Sequence, residues 1–193
     1  MLLTLIACGQ ILQPSLSSEL ISLKRGDYEL DKTHAALLFK VNHMGLSDFV
    51  GRIKHFDAEL YFDPAAMARS SIKAVIDMAS IDVNNKPLED TLKGNWWLNT
   101  DKHPQAIFET TSVKILDSTH AVFIGDLTFL GITKPVEANV QYNGSGINKL
   151  NMRYTVGFKI DAVFKRSDFG LDRFIPAIGD DVRIEVHAEF IRI

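Results

Sequence analysis

The chain reads as an all-β fold, a closed or nearly closed antiparallel barrel of about eight strands with a single inserted helix. Three observations predict it. From about residue 35 to the end, apolar residues alternate with polar ones, most plainly at Leu150, Met152, Tyr154, Val156, Phe158 and Ile160, interleaved with Asn151, Arg153, Thr155 and Lys159. A period of two puts one face of each strand in an apolar interior and the other in water. Turn residues separate these runs at short intervals, and only one stretch has helical character. The 193 residues, 46% hydrophobic and 23% charged, suit one ordinary globular domain with a substantial core.

The elements follow in order. A short strand lies near Tyr28-Glu29-Leu30, and Asp31-Lys32-Thr33 reads as a turn. Ala35–His43 is a strand with Leu37, Phe39 and Val41 on one face, closed by the turn Met44-Gly45-Leu46-Ser47. Phe49–Phe62 changes phase partway: Phe49, Gly51 and Ile53 share one parity, Phe56, Ala58, Leu60 and Phe62 the other, so a bulge is expected near Lys54-His55. Ile72–Ile81 is the next strand, and Pro87–Asn95 the helix, with Leu88, Leu92 and the Trp96-Trp97 pair available for burial. Strands resume at Ala106–Leu116, Ala121–Leu130, Val136–Tyr142, Leu150–Ile160 and Asp181–Ile193. Gly131-Ile132-Thr133-Lys134 is expected to form a tight hairpin, and Asn143-Gly144-Ser145-Gly146 another turn.

The net charge of -3 and the scatter of Lys and Arg give no electrostatic footprint for DNA or RNA, so no nucleic-acid partner is expected. The one cysteine, Cys8, permits no intrachain disulfide and no Cys-based metal site. It ends a short apolar run in which Leu5-Ile6-Ala7-Cys8 looks like a bacterial lipobox. Residues 1–23 are therefore expected to be an export leader and tether, with Cys8 the lipidation candidate, and residues 24–193 the barrel domain. An exported, periplasmic and lipid-anchored protein is the corresponding expectation, although no Lys or Arg precedes the apolar run.

Catalytic motifs are missing: there is no G-x-S-x-G elbow, phosphate-binding glycine loop, H-E-x-x-H or EF-hand loop, and no cofactor is implied. No metal site is expected either, because His34 and His43 are nine residues apart and would point to opposite faces of one uninterrupted strand. Asp31, His34 and Ser47 have the chemistry of a hydrolytic triad, but nothing in their spacing enforces contact. Glu89-Asp90 suits the opening turn of a helix, and Asp180-Asp181 a turn before the last strand. The segment Lys165 to Gly179 interrupts two alternating strands. It reads as a surface loop with an internal Arg166–Asp168 pair, or as a rim where a cation meets a polar headgroup. Trp96 and Trp97 read equally well as plug residues or as ligand-tunnel walls.

Taken together, several short motifs resemble the YceI family of lipid- or polyisoprenoid-binding proteins. They are Asp31-x-x-His34, Phe39-x-Val41-x-His43-x-Gly45, Gly51-x-x-x-x-Phe56, Ser80-Ile81-Asp82 and His103-Pro104-x-x-x-Phe108. Further along come Gly125-Asp126-Leu127-Thr128, Gly131-Ile132-Thr133-Lys134-Pro135-Val136, Arg166-Ser167-Asp168-Phe169-Gly170 and Gly179-Asp180-Asp181-Val182. The match runs over about residues 27–193. It implies an extended, lipocalin-like, eight-stranded antiparallel barrel that encloses a long-chain isoprenoid, in a family with many periplasmic members. Trp96-Trp97 stands where phenylalanines are more usual, which implies a narrower or shorter tunnel.

The function expected is non-enzymatic binding, storage or transport of an isoprenoid, quinone-like or fatty-acid-like lipid, with a homodimer compatible. Leu37, Phe39, Val41, Phe56, Leu60, Phe62 and Met78 are candidates for the cavity wall. So are Trp96, Trp97, Phe108, Phe129, Met152, Tyr154 and Phe158. His34, His43, Arg166 and Asp168 are candidates for the rim. The alternative is a stress-related structural or interaction barrel with a packed interior and no lipid. An enzyme acting through His34, His43 or the Arg166–Asp168 loop is the third reading.

Overall fold

The computed structural model describes residues 14–193, and its strands form a single antiparallel sheet closed on itself by pairing of the first strand with the last. In chain order these are β1 (Gly26–His43), β2 (Ser47–Ile53), β3 (Phe56–Phe62), β4 (Ser71–Asp77), β5 (Ile81–Asp82), β6 (Gln105–Ile115), β7 (His120–Phe129), β8 (Ile132–Ile147), β9 (Tyr154–Lys165) and β10 (Ile178–Arg192). One edge of β1 carries β2 beside its second half and β3 beside its first. Strands β2 and β3 are thus two halves of one stave, and β4 and β5 pair with them as another. The result is the eight-staved barrel expected from the sequence.

The break between β2 and β3 lies at Lys54-His55, where the phase change demands it. Ser80 stitches the break: its hydroxyl accepts from His55 N at 2.9 Å and its carbonyl from Lys54 N at 3.1 Å. Three other expectations about the elements are corrected. Asp31-Lys32-Thr33 is a bulge inside β1 rather than a turn: Leu30 pairs with Phe190 and Ala35 with Ala188, so five residue steps of β1 face two of β10. Asp31 holds that bulge by accepting from Thr33 N at 3.0 Å and Thr33 Oγ1 at 2.6 Å.

Asn143–Gly146 is also not a turn, because β8 continues through it to Ile147, pairing Gly144, Ser145 and Gly146 with Gly157, Val156 and Thr155. The glycines there make room instead. A Cβ on Gly146 would stand 2.8 Å from Ser15 O, in the N-terminal segment that pairs with Ser145. The turn lies at residues 148–153, where Met152 has φ 58° and Met152 N donates to Asn148 O. Leu150 and Met152, 77% and 73% exposed, therefore alternate by coincidence, and β9 starts at Tyr154.

Helix α1 spans Lys86–Lys93, with Asn85 capping Leu88 N and Gly94 ending it, so Trp96 and Trp97 lie in the turn beyond. The hairpin between β7 and β8 has Leu130 and Gly131 at its tip with φ 53° and 77°, the pair of positive values that a two-residue turn of this hand requires. The connections 44–46, 83–104, 130–131 and 166–177 gather at one end, called here the upper end. Residues 14–25, 63–70, 116–119 and 148–153 gather at the other. Two apolar clusters lie inside the barrel, a lower one including Leu60, Tyr142 and Phe190, and an upper one including Leu37, Phe129 and Phe169; Phe56 and Val186 pack against both.

Candidate functional site

Inward side chains of every stave leave a cavity of about 440 Å³ along the barrel, within the usual range for small-molecule sites. Leu37, Phe39, Val41, Phe56, Leu60 and Phe62 line it from β1 and β3. Met78, Trp97, Phe108, Phe129 and Phe158 complete the large walls. The parity of each strand is what brings these residues together, since inward positions recur every second residue.

The other three wall candidates lie elsewhere. Met152 sits in the exposed turn before β9. Tyr154 is at the lower end, where it shares a hydrogen bond of 2.6 Å with the Ser145 hydroxyl. Trp96 is 70% exposed and stacks under the Arg173 guanidinium, 4.1 Å from its ring centroid. Only Trp97 of the indole pair borders the cavity, and its ring also stacks on the exposed Phe174 of the loop 166–177 with centroids 6.0 Å apart.

Residues outside the candidate set do as much to shape the space. Ala58, Ala74, Ala138 and Ala162 face the cavity, and in-register pairing sets Ala58 beside Ala74 and Ala138 beside Ala162. An alanine at an inward position removes volume from the wall instead of adding to the core. The signal is present as alanine in the apolar phase of β3, β4, β8 and β9, but on any one strand such an alanine reads as ordinary core.

The polar residues of the lining are Asn42, His43 and Arg166, all toward the upper end. His43 is exposed to solvent while also bordering the cavity, which locates the mouth beside it. Arg166 is 2% exposed, and its donors are directed to main-chain carbonyls: Nε to Gly179 at 2.8 Å, Nη1 to Leu171 at 2.6 Å, and Nη2 to Arg173 and Ile178 at 2.8 Å. Burial lowers its pKa from the ordinary guanidinium value, yet a guanidinium stays charged. Arg166 therefore ties the loop 166–177 over the barrel end, and a headgroup would find few of its donors free. No pair with Asp168 forms: Asp168 is exposed, and the carboxylate engaged by this loop is Asp180, which accepts from Ser167 N and Oγ at 2.9 and 2.8 Å.

His34 is not at the rim. It stands on the outer wall at the β1 bulge, where its Nδ1 donates to Asp31 Oδ2 at 3.0 Å. That bond is the main reason its pKa is raised, while the Thr33 hydroxyl leads in lowering that of Asp31. Asp31, His34 and Glu189 bring ligand-type atoms within 4.8 Å of one another, but both Asp31 oxygens already accept from Thr33 or His34. His43 and His55 do not join them; His55 lies 3.8 Å from Asp77. Ser47 pairs with His43 across the β1–β2 ladder, nine residues along the strand from His34, so no triad assembles. Among the described residues, His43 and Arg166 are the titratable groups of the cavity wall. Cys8 and residues 1–13 lie outside the described residues.

The YceI-like domain model matches residues 28–190. A UPF0312 protein of Serratia proteamaculans is 33% identical over 168 residues, covering 86% of each chain. Among solved structures, BcnA of Burkholderia cenocepacia is similar with a TM-score of 0.75 and 26% identity, over 83% of this chain and 98% of that one. A polyisoprenoid-binding domain from Saccharophagus degradans shares the fold at a TM-score of 0.60 and 14% identity, over 86% of this chain and 98% of that one.

Proposed function

The chain belongs to the YceI-like family, and from that membership and the cavity we propose that it binds a long-chain isoprenoid or a similar amphiphilic lipid without transforming it. One observation carries the reading: the bore is apolar along its length and meets polar groups only near His43 and Arg166. A polar ligand inside would give up its water without finding partners, at a cost of a few kcal/mol per group. A hydrocarbon chain gains about 0.8 kcal/mol for each buried methylene. The ligand therefore lies with its tail in the bore and its headgroup at the mouth. The Saccharophagus degradans neighbour is a polyisoprenoid-binding domain, which supports an isoprenoid; quinone-like and acyl tails fit the same chemistry.

Native mass spectrometry of the full chain, expressed with export and purified without detergent, tests this directly. A discrete adduct that fragments as a prenyl or acyl chain is the expected result. A clean apo mass, unchanged after incubation with polyprenols, quinones and fatty acids, would overturn it.

The apolar run before Cys8 supports carriage of the lipid outside the cytoplasm, with Cys8 as a lipid anchor. Metabolic labelling with a palmitate analogue should mark the wild type and leave Cys8→Ser unmarked. Equal labelling of both removes the anchor from the proposal.

A further inference from the structure

We infer that Leu20, carried into the barrel by the segment that precedes β1, is the floor that sets how long a chain the cavity accepts. The inference rests on the lipid-binding reading and adds to it a residue that determines specificity.

Residues 14–23 do not hang free of the domain as a tether would. Ser17 and Ser145 exchange main-chain hydrogen bonds of 2.8 and 3.1 Å, and Tyr142 Oη donates to Ser17 O at 3.0 Å. Beyond Gln141, β8 has no further pairing with β7, so its edge is open to this segment. Gly144 and Gly146 clear the space: a Cβ on either would stand 3.3 Å from Leu16 Cβ or 2.8 Å from Ser15 O. The segment then turns inward. Leu20 N donates to Ser118 O at 2.7 Å, and the Leu20 side chain, 4% exposed, borders the cavity beside Leu60 and Phe62.

Of the described lining residues at this end, Leu20 is the one from outside the staves, and Ile115, 37% exposed, borders the cavity from the end of β6. Leu23 and Tyr28, each 1% exposed, pack in the same cluster but do not border the cavity. The hydroxyls of Tyr142 and Tyr154 meet on Ser145 at 2.7 and 2.6 Å, a polar layer already satisfied within itself. The polar lining residues lie toward the opposite end, so an amphiphile places its head there and its tail terminus against Leu20. The floor is thus supplied by a segment outside the ladder of staves. It can be altered without touching a strand.

The test is affinity across a homologous series of linear saturated fatty acids, measured by native mass spectrometry on the full chain and on three variants. Leu20→Ala removes three side-chain carbons, so the preferred chain lengthens by about two to three carbons. Leu20→Phe adds bulk and shortens it, which keeps the test alive if the alanine variant folds poorly. Ile21→Ala, at a neighbouring position that is 70% exposed, leaves the preference where it was. Opposite shifts in the two Leu20 variants are the expected result. Binding with one unmoved optimum in all four proteins overturns the floor and leaves lipid binding intact. If the wild type takes no fatty acid, the same comparison is read with polyprenols of increasing length; failure to bind either class overturns both.

Discussion

At the scale of single residues, Arg166 shows how a side chain that looks made for a ligand serves the fold. A lone guanidinium among aromatic residues invites an anionic partner, and sequence alone does not reveal that four main-chain carbonyls already surround it. Two of those carbonyls, Leu171 and Arg173, lie in the loop 166–177 and two, Ile178 and Gly179, open β10, so one planar donor set ties the loop to the start of the strand. Arg166→Ala removes its donors from all four and should cost roughly 3 kcal/mol in chemical denaturation, with a thermal midpoint lower by about 6–12 °C. Arg166→Lys should recover little, because one ammonium cannot reach carbonyls spread around a plane. Glu185 gives a residue-scale prediction in pH. The Lys40 ammonium at 2.6 Å, helped by His187, holds its carboxyl down from 4.5 to about 2. Its folded pKa is below the unfolded one, so its contribution is complete above about pH 4.5 and is lost as pH falls toward 2. The stability advantage of wild type over Glu185→Gln should therefore shrink across that window in denaturation curves. An advantage that stays constant down to about pH 2 would rule out this pairing as the cause. Of the four rim candidates, His43 borders the mouth; period and spacing alone place none of them, because a rim is defined by loops whose paths depend on distant carbonyls.

At the scale of the element, parity is the most legible feature and strand ends the least. The phase change at Lys54-His55 is visible because Ile53 and Phe56 cannot face one way on an unbroken strand, and the chain breaks there. The run Leu150, Met152, Tyr154 looks equally regular, yet its first two members are exposed in a turn. Alternation reports what a strand would bury, not that a strand exists. Gly144 and Gly146 mislead for a related reason: glycine marks both turns and close approaches, and only the position of residues 15–17 distinguishes them. Gly125 on β7 is a close approach of the same kind. A Cβ there would meet Glu109 O at 2.5 Å and the Phe108 ring at 2.6 Å, next to the β6 irregularity between Thr110 and Ser112. Backbone cannot yield as a flexible side chain does, so Gly125→Ala should destabilise by roughly 2 kcal/mol or more and displace a ring of the cavity wall. Gly157→Ala, whose nearest neighbour would be Asn143 Cβ at 3.6 Å, should be neutral or stabilising by about 0.5 kcal/mol. Urea denaturation of the two variants checks the contrast.

At the scale of the whole molecule, the question is why a barrel of this size is not filled. An eight-stranded barrel is just wide enough for inward side chains to meet, so an open bore needs small residues in the inward phase. Alanines supply them: seven border the cavity, two pairs of them adjacent in register, with Phe108 and Phe123 paired in register on the other side of Ala74 and Ala138. The closed architecture could be read from alternation, but the open space could not. A cavity is a sum over all staves, and no one strand shows whether its alanines face other alanines or a phenylalanine. Space left open in this way lacks dispersion partners along its lining, a cost that a monomeric packed barrel would avoid. Filling it should therefore separate stability from binding. Ala138→Leu combined with Ala162→Leu places two larger side chains side by side on β8 and β9. The apo protein should keep its thermal midpoint or gain up to about 2 kcal/mol from the new packing, while lipid affinity falls at least tenfold. Wild type should show the converse, with ligand at about 100 times its dissociation constant adding roughly 2.7 kcal/mol of stability. Thermal unfolding of both proteins with and without a polyprenol measures all four quantities. If the doubly substituted barrel binds as tightly as wild type, the bore between these staves is not where the chain lies.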